Sequence, residues 1–284
     1  MIGQKNLLNT FKRQIEEGTF PRFSILCGAK GGGKKLLSIE LGQMLTDSNI
    51  AFIEPKVDNI RELVVTAYKV TMPTLYILAD ADNMSPAAKN ALLKVTEEPP
   101  NNAYFIMTLL SVNNTLPTIR SRATIYHIDP YSAEELSNYF YDNYSNLEHY
   151  NEYQKIMLEI CETPGEINSL MSVDVFSFYA YVGKVIDNID KVSTSNVFKI
   201  ADKLAFKETD LHKYDLALFY KAFMMLCLKR MEESDIDRYK YAKGVEITSK
   251  SLQTLKNVSL NRQYAFDMWI LNIREEWNYG DFNS

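Results

Sequence analysis

The sequence predicts an α/β protein: a parallel sheet of the phosphate-loop type in its N-terminal part, and helices in its C-terminal part. Three observations predict it. A short apolar run (Phe23, Ile25, Leu26, Cys27) enters a glycine-rich turn with Gly28, Gly31, Gly32 and Gly33, followed by Lys34 and Lys35. A helical pattern then places Leu37, Leu41, Met44 and Leu45 on one face. Further short apolar stretches alternate with helical ones as far as Asp129-Pro130, which is the spacing of a parallel sheet.

Taken in order, residues 4–17 read as an amphipathic helix (Leu7, Leu8, Phe11, Ile15) closed by Gly18 and Pro21. After the glycine turn and its helix, Ile50 to Ile53 form a short apolar stretch. Asp58 is a candidate cap for a helix through Ile60, Leu63, Val64 and Ala67. Pro73 opens a strand over 75–79, which ends in Asp80, Ala81 and Asp82. Ser85 at the N-cap and Pro86 at the first helical position start a helix. That helix carries Ala88, Leu92 and Val95 and stops before Pro99-Pro100. Residues 103–110 and 123–128 are the remaining strand candidates. Beyond Asp129-Pro130 no strand is expected. Ser132 with Glu135 makes a capping box. Val197, Ile200, Ala201 and Leu204 form one helical stripe, Leu211, Leu218, Phe219, Ala222, Phe223 and Leu226 another, and a last helix spans roughly Asn261 to Trp277.

The chain has 284 residues, enough for a substantial core and two domains. It contains no apolar run long enough to cross a membrane, and the first residues are polar without an apolar signal region. Cys27, Cys161 and Cys227 lie far apart and read as packed, reduced thiols of a cytoplasmic protein. A formal charge of −5 argues against coating nucleic acid by bulk charge, although a local basic face stays open. His127, His149 and His212 have no partners at metal-ligand spacing, so zinc is not expected. The run Phe223 to Leu226 is most simply helical core.

Strand, glycine turn, lysine and helix form the context in which G-x-x-x-x-G-K reads as a phosphate loop. Its backbone N–H groups converge on a phosphate, and the helix N-terminus adds its positive end. The Ser or Thr that holds Mg²⁺ in that motif is Lys35 here. The strand end, where a second nucleotide motif places its metal carboxylate, offers Ala79 first and then Asp80. Asp80 and Asp82 are most simply solvated loop acids. Arg120, Ser121 and Arg122 fall in a tight turn after a strand. An arginine there is either a surface charge or a finger that reaches a neighbour's phosphate.

The segments IGQKNLLNTFKRQIEEGTFP, VDNIRELV, YILADADNMSPAAKNALLKVTEEPP and LPTIRSRA, in this order around the glycine loop, resemble the delta-prime subunit of the bacterial DNA polymerase III clamp loader. The gamma/tau ATPase subunits are close relatives of that family. The resemblance covers about the first 170 residues well, and NALLKVTEEPP followed by TIRSRA is its strongest part. It implies an AAA+ module over 1–130, a helical lid over 131–172 and a helical collar over 173–284. It also implies partners: the gamma/tau ATPase and delta subunits, and through them the sliding clamp and primed DNA. In that family delta-prime is mainly a stator that donates an SRC-type arginine to its neighbour's ATP. That residue maps onto Arg122, beside Ser121 and with Ala123 in place of the usual Cys.

The departures from the family agree with one another. The loop hydroxyl is Lys35, and D-E-A-D reads Ala79-Asp80-Ala81-Asp82. The polar sensor after the 103–108 strand is replaced by Leu109-Leu110. The lid's P-G-R arginine is Glu166 in Pro164-Gly165-Glu166. The cysteine zinc module is absent between Met44 and Val57. The resulting expectation is a non-hydrolysing subunit whose phosphate loop (Gly28, Gly31, Gly33, Lys34, Lys35) is vestigial. It requires no cofactor, although nucleotide binding without hydrolysis stays open. The alternatives are a divergent ATPase that uses Lys34 and Asp80, and a stand-alone DNA-binding relative.

Overall fold

The computed structural model describes residues 3–191, 193, 198–206, 213–233, 237–255 and 261–280. Its contacts divide the chain into two compact units, residues 1–135 and 136–284.

The first unit is organised around β1 (Phe23–Cys27), a strand buried along its whole length. With β2 (Ile50–Phe52), β3 (Thr74–Leu78), β4 (Ala103–Leu109) and β5 (Thr124–His127) it forms an all-parallel sheet in the order β2-β3-β4-β1-β5. Helices cover both faces, so the central strands read as continuous apolar runs. Phe23, Ile25 and Cys27 face the helices α3 (Val57–Ala67), α4 (Pro86–Glu97) and α5 (Pro117–Arg120) through Leu63, Leu92 and Ile119. Leu26 faces α1 (Lys5–Glu16) and α2 (Lys34–Thr46) through Phe11, Leu37 and Leu41. The first helix is secured at its start by Gln4. Its amide donates to the Asp129 carbonyl at 2.8 Å and accepts the Asp129 N–H at 3.0 Å.

In register, Cys27 lies between Leu109 of β4 and His127 of β5, so the carboxyl ends of three strands open at one edge. The rule for open α/β sheets places ligands at that edge. Ser85 caps α4 by accepting the Ala88 N–H at 3.2 Å, with Pro86 following at the first helical position. Two readings need correction. Lys56, not Asp58, is at the N-cap of α3, and Asp58 lies in its first turn, where a carboxylate suits the helix dipole. Arg120, Ser121 and Arg122 are not a bare turn, because Pro117 starts a helical turn that ends at Arg120.

The second unit contains α6 from Leu136 onward (the helix spans Ala133–Tyr144), α7 (Tyr150–Ile160), α8 (Pro164–Met171), α9 (Val175–Asn188), α10 (Leu216–Glu233), α11 (Arg238–Thr254) and α12 (Arg262–Gly280). The expected capping box opens α6: the Ser132 N–H donates to Glu135 at 2.9 Å, and the Glu135 N–H donates back to the Ser132 hydroxyl at 3.1 Å. Phe219 and Phe223 of α10 meet Phe266 and Trp269 of α12, and Trp269 donates to the Thr248 hydroxyl of α11 at 2.9 Å. The described part of the expected stripe, Ile200 to Leu204, is not an α-helix. Phe198–Lys203 is a 3-10 helix, and Leu204–Ala205 pairs as a short parallel strand, β6, with Tyr214–Asp215, β7. Strands therefore do not stop at Pro130, and two-residue strands are too short to show alternation. Val197, Leu211 and His212 lie outside the described residues. The helix α11 has no counterpart in the sequence reading, since its buried positions include small residues, Gly244 and Thr248.

By contacts the two units meet between residues 135 and 136. Among the described residues no single helix is long and apolar enough to cross a membrane. The Ser85 cap has a measurable worth. Ser85→Ala is expected to lower stability by about 1 kcal/mol in urea unfolding, with most of the loss recovered in Ser85→Asp.

Candidate functional site

The phosphate loop is built as the motif demands. Gly31 and Gly33 take φ of +75° and +81°, the left-handed region that favours glycine. A Cβ on Gly28 would lie 2.6 Å from the Cβ of Ile128, so only glycine allows β1 to pass beneath that side chain. The loop is also satisfied from within. Lys34 is buried, with 6% of its surface exposed. Its ammonium donates to the carbonyls of Gly28 and Ala29, both at 2.8 Å. The Gly32 N–H donates to the Ala29 carbonyl at 3.2 Å, and the Tyr131 hydroxyl donates to the Gly32 carbonyl at 3.1 Å. Burial pushes the Lys34 ammonium below the usual lysine range, while Asp80 and Asp82 act in the opposite sense.

Lys35 is exposed, and its ammonium lies 5.1 Å from the centre of the Phe52 ring. Position 35 therefore offers a cation where the motif needs a hydroxyl oxygen. Ala79, at the end of β3, offers no oxygen either. These residues do not fit a magnesium-bound nucleotide. Asp80 is exposed in a left-handed conformation (φ +52°), and its N–H donates to the Thr108 hydroxyl at 2.9 Å.

Asp82 departs from the reading of a solvated acid. It is 5% exposed, and its carboxylate accepts the Leu110 N–H at 2.8 and 3.0 Å and the Asn114 amide at 2.7 Å. It ties the segment after β3 to the end of β4 at Leu109-Leu110. Thr108 still presents a hydroxyl there, engaged by the Asp80 backbone.

Arg122 follows α5 on an exposed turn. One terminal nitrogen donates to the Thr118 carbonyl at 3.0 Å; the other is 3.1 Å from the Glu97 carboxylate at the end of α4. Ser121 donates to the Thr118 carbonyl at 3.1 Å, and Arg120 donates to the Asn113 side chain at 2.8 Å.

Within the second unit, Glu166 stands at the start of α8. Its N–H donates to the Thr163 hydroxyl at 3.2 Å, and its carboxylate accepts the Glu162 N–H at 2.8 Å. The same carboxylate receives the Lys221 ammonium at 2.7 and 2.9 Å, and Lys221 also reaches Glu162 at 2.8 Å. Burial opposes the Lys221 charge, but Glu166 and Glu162 more than offset it and raise the group above the usual lysine range. Beside them the Cys161 thiol is pushed up to about 12 by burial and the Glu166 charge. Lys229 binds Glu159 at 2.6 Å and Arg230 binds Asp187 at 2.5 Å, so α10 holds α7, α8 and α9. The cap was readable as Thr163-x-x-Glu166, whereas Lys221, Glu97 and Asn114 carried no local signal.

The sheet order, the phosphate-loop strand between β4 and β5, and the helical region that follows define an AAA+ fold. A solved structure of the Thermotoga maritima RuvB Holliday junction branch migration motor matches it with a TM-score of 0.51 at 16% identity, over 94% of this chain and 88% of that one. Within that class the chain is clamp-loader-like. The family model described as "DNA polymerase III, delta subunit" matches residues 47–132. DNA polymerase III subunit gamma of Buchnera aphidicola is 27% identical over 49% of this chain and 47% of its own length. DNA polymerase III subunit gamma/tau of Mycobacterium bovis is 40% identical over 25% of this chain and 13% of its own length. Human replication factor C subunit 5 is 27% identical over 47% of this chain and 43% of its own length. The chain thus spans about half the length, or less, of these relatives.

Two substitutions separate structural from chemical roles. Asp82→Ala is expected to cost about 1–3 kcal/mol in denaturant unfolding, because it leaves two donors without their acceptor. Asp80→Ala should stay within about 0.5 kcal/mol of the parent. Glu166→Arg is expected to destabilise the chain by about 1–3 kcal/mol, since it leaves the Glu162 N–H without its acceptor and sets two cations together.

Proposed function

We propose that the chain is a non-hydrolysing, delta-prime-like subunit of a DNA polymerase III clamp loader: a stator that gives Arg122 to the nucleotide site of a neighbouring ATPase subunit. One observation carries the reading. Arg122 is presented on an exposed, anchored turn, while this chain's own loop is closed on Lys34 and lacks an oxygen ligand at positions 35 and 79. Similarity to gamma, gamma/tau and replication factor C subunits supports the setting.

In this reading residues 1–130 are the AAA+ domain, 131–172 the lid and 173–284 the collar that packs against the other subunits. The gamma/tau and delta subunits are the direct partners, with the sliding clamp and primed DNA reached through them. The protein works in the cytoplasm and needs neither zinc nor a nucleotide of its own. An arginine placed on a neighbour's transferring phosphate accelerates its site by about 10³–10⁵.

The test is reconstitution with the same organism's gamma/tau and delta subunits, clamp and primed DNA. The complex is expected to form with Arg122→Ala as readily as with the parent, while stimulated ATP turnover falls about tenfold or more. The isolated chain is expected to show no turnover. Hydrolysis by the pure protein that is abolished in Lys34→Ala would overturn the reading in favour of a divergent ATPase.

A further inference from the structure

We propose that Glu97 is a positioning residue for Arg122, setting the direction of the guanidinium before any partner arrives. The inference rests on the reading of Arg122 as a group that acts in trans, and it concerns how that group is prepared.

The turn fixes the arginine's backbone first. The N–H groups of Arg122 and Ala123 both donate to the Ile119 carbonyl, at 3.1 and 3.0 Å. The side chain is then held at two points, the Thr118 carbonyl at 3.0 Å and the Glu97 carboxylate at 3.1 Å, each on a different terminal nitrogen. A guanidinium has five N–H donors. One donates to the Thr118 carbonyl, the Glu97 carboxylate stands at ion-pair distance from the other terminal nitrogen, and the side chain stays 39% exposed. The remaining donors are more than a bidentate grip on a phosphate requires. The 3.1 Å contact is made by one carboxylate oxygen, so the fork is steered without being filled.

Glu97 is itself anchored. It is the last residue of α4, whose start is capped by Ser85. One turn in, Lys89 donates to the Asn114 carbonyl at 2.6 Å, and Asn114 is bound in turn to buried Asp82. Just beyond Glu97, the Tyr68 hydroxyl holds the Glu98 carbonyl at 2.7 Å. The carboxylate therefore sits on a rod fixed at both ends. Arg120 has no such anchor, for its partner is the neutral Asn113 amide of the adjacent loop.

A long surface arginine loses rotamer freedom when a phosphate captures it, and one already oriented loses less. Preorganised charge is what stabilises a transition state. Both members of the pair are substantially exposed, at 39% and 50%, so the pair adds little to fold stability and its removal leaves the chain folded.

The experiment uses the full chain in the reconstituted complex, comparing Glu97→Ala, Glu97→Gln and Arg122→Ala. Glu97→Ala is expected to lower kcat for ATP about two- to fivefold, the factor to which an exposed ion pair converts. KM for ATP and the yield of complex should not change. Glu97→Gln keeps the shape but removes the charge and should show the same loss. In the isolated chain, ¹⁵N relaxation at Arg122 Nε should report an ordered side chain in the parent, and a mobile one in Glu97→Gln and Glu97→Ala. Faster turnover in Glu97→Ala would overturn the proposal, because Glu97 would then be a competitor for the arginine. Parent-like turnover or parent-like relaxation in Glu97→Ala would also overturn it. Unchanged turnover in Arg122→Ala would remove the trans-acting reading itself, and Glu97 would then only fasten α4 to the turn after α5.

Discussion

The geometry of the first unit depends on a buried carboxylate that has no ion-pair partner among its hydrogen bonds. Asp82 receives the Leu110 N–H and the Asn114 amide, so the ends of β3 and β4 and the loop leading to α5 are fixed by one side chain. A carboxylate is tolerated in such a place only when its lone pairs are filled by donors. Through Asn114 the constraint passes to Lys89, and along α4 to the turn that bears Arg122. The segment between β3 and α4 therefore serves the scaffold.

A comparable tie occurs in the second unit. Glu166, in the first turn of α8, accepts the Glu162 N–H and receives Lys221, a residue 55 positions along the chain. Both side chains are mostly buried, at 19% and 12% exposure, with Glu162 as a further partner. Close geometry and added hydrogen bonds are what allow such a pair to offset its desolvation. Together with the Lys229 and Arg230 pairs it ties three helices to α10.

The sheet was legible because β1, β3 and β4 are buried on both faces and therefore read as apolar runs bounded by Gly, Pro and Asp. The helix α4 was legible from Ser85-Pro86 at one end and Pro99-Pro100 at the other. The phosphate loop and Arg122 were legible as motifs, but their present partners were not. Glu97 and Asn114 meet Arg122 and Asp82 across 25 and 32 residues respectively, and no local pattern encodes such meetings. Burial of Asp82 could not be read from a string of alternating Ala and Asp. The failures in the second unit have a local cause. The helix α11 buries small residues rather than a strong apolar stripe, and β6 and β7 are too short to alternate.

The inward turn of Lys34 has a consequence for how the loop is held. A phosphate loop whose lysine awaits a ligand is stabilised by mass action whenever that ligand is present. Here the Gly28 and Ala29 carbonyls already receive the ammonium, so its hydrogen bonds are supplied by the polypeptide itself. The inward lysine thus gives the loop a closed arrangement that draws on no group outside the polypeptide.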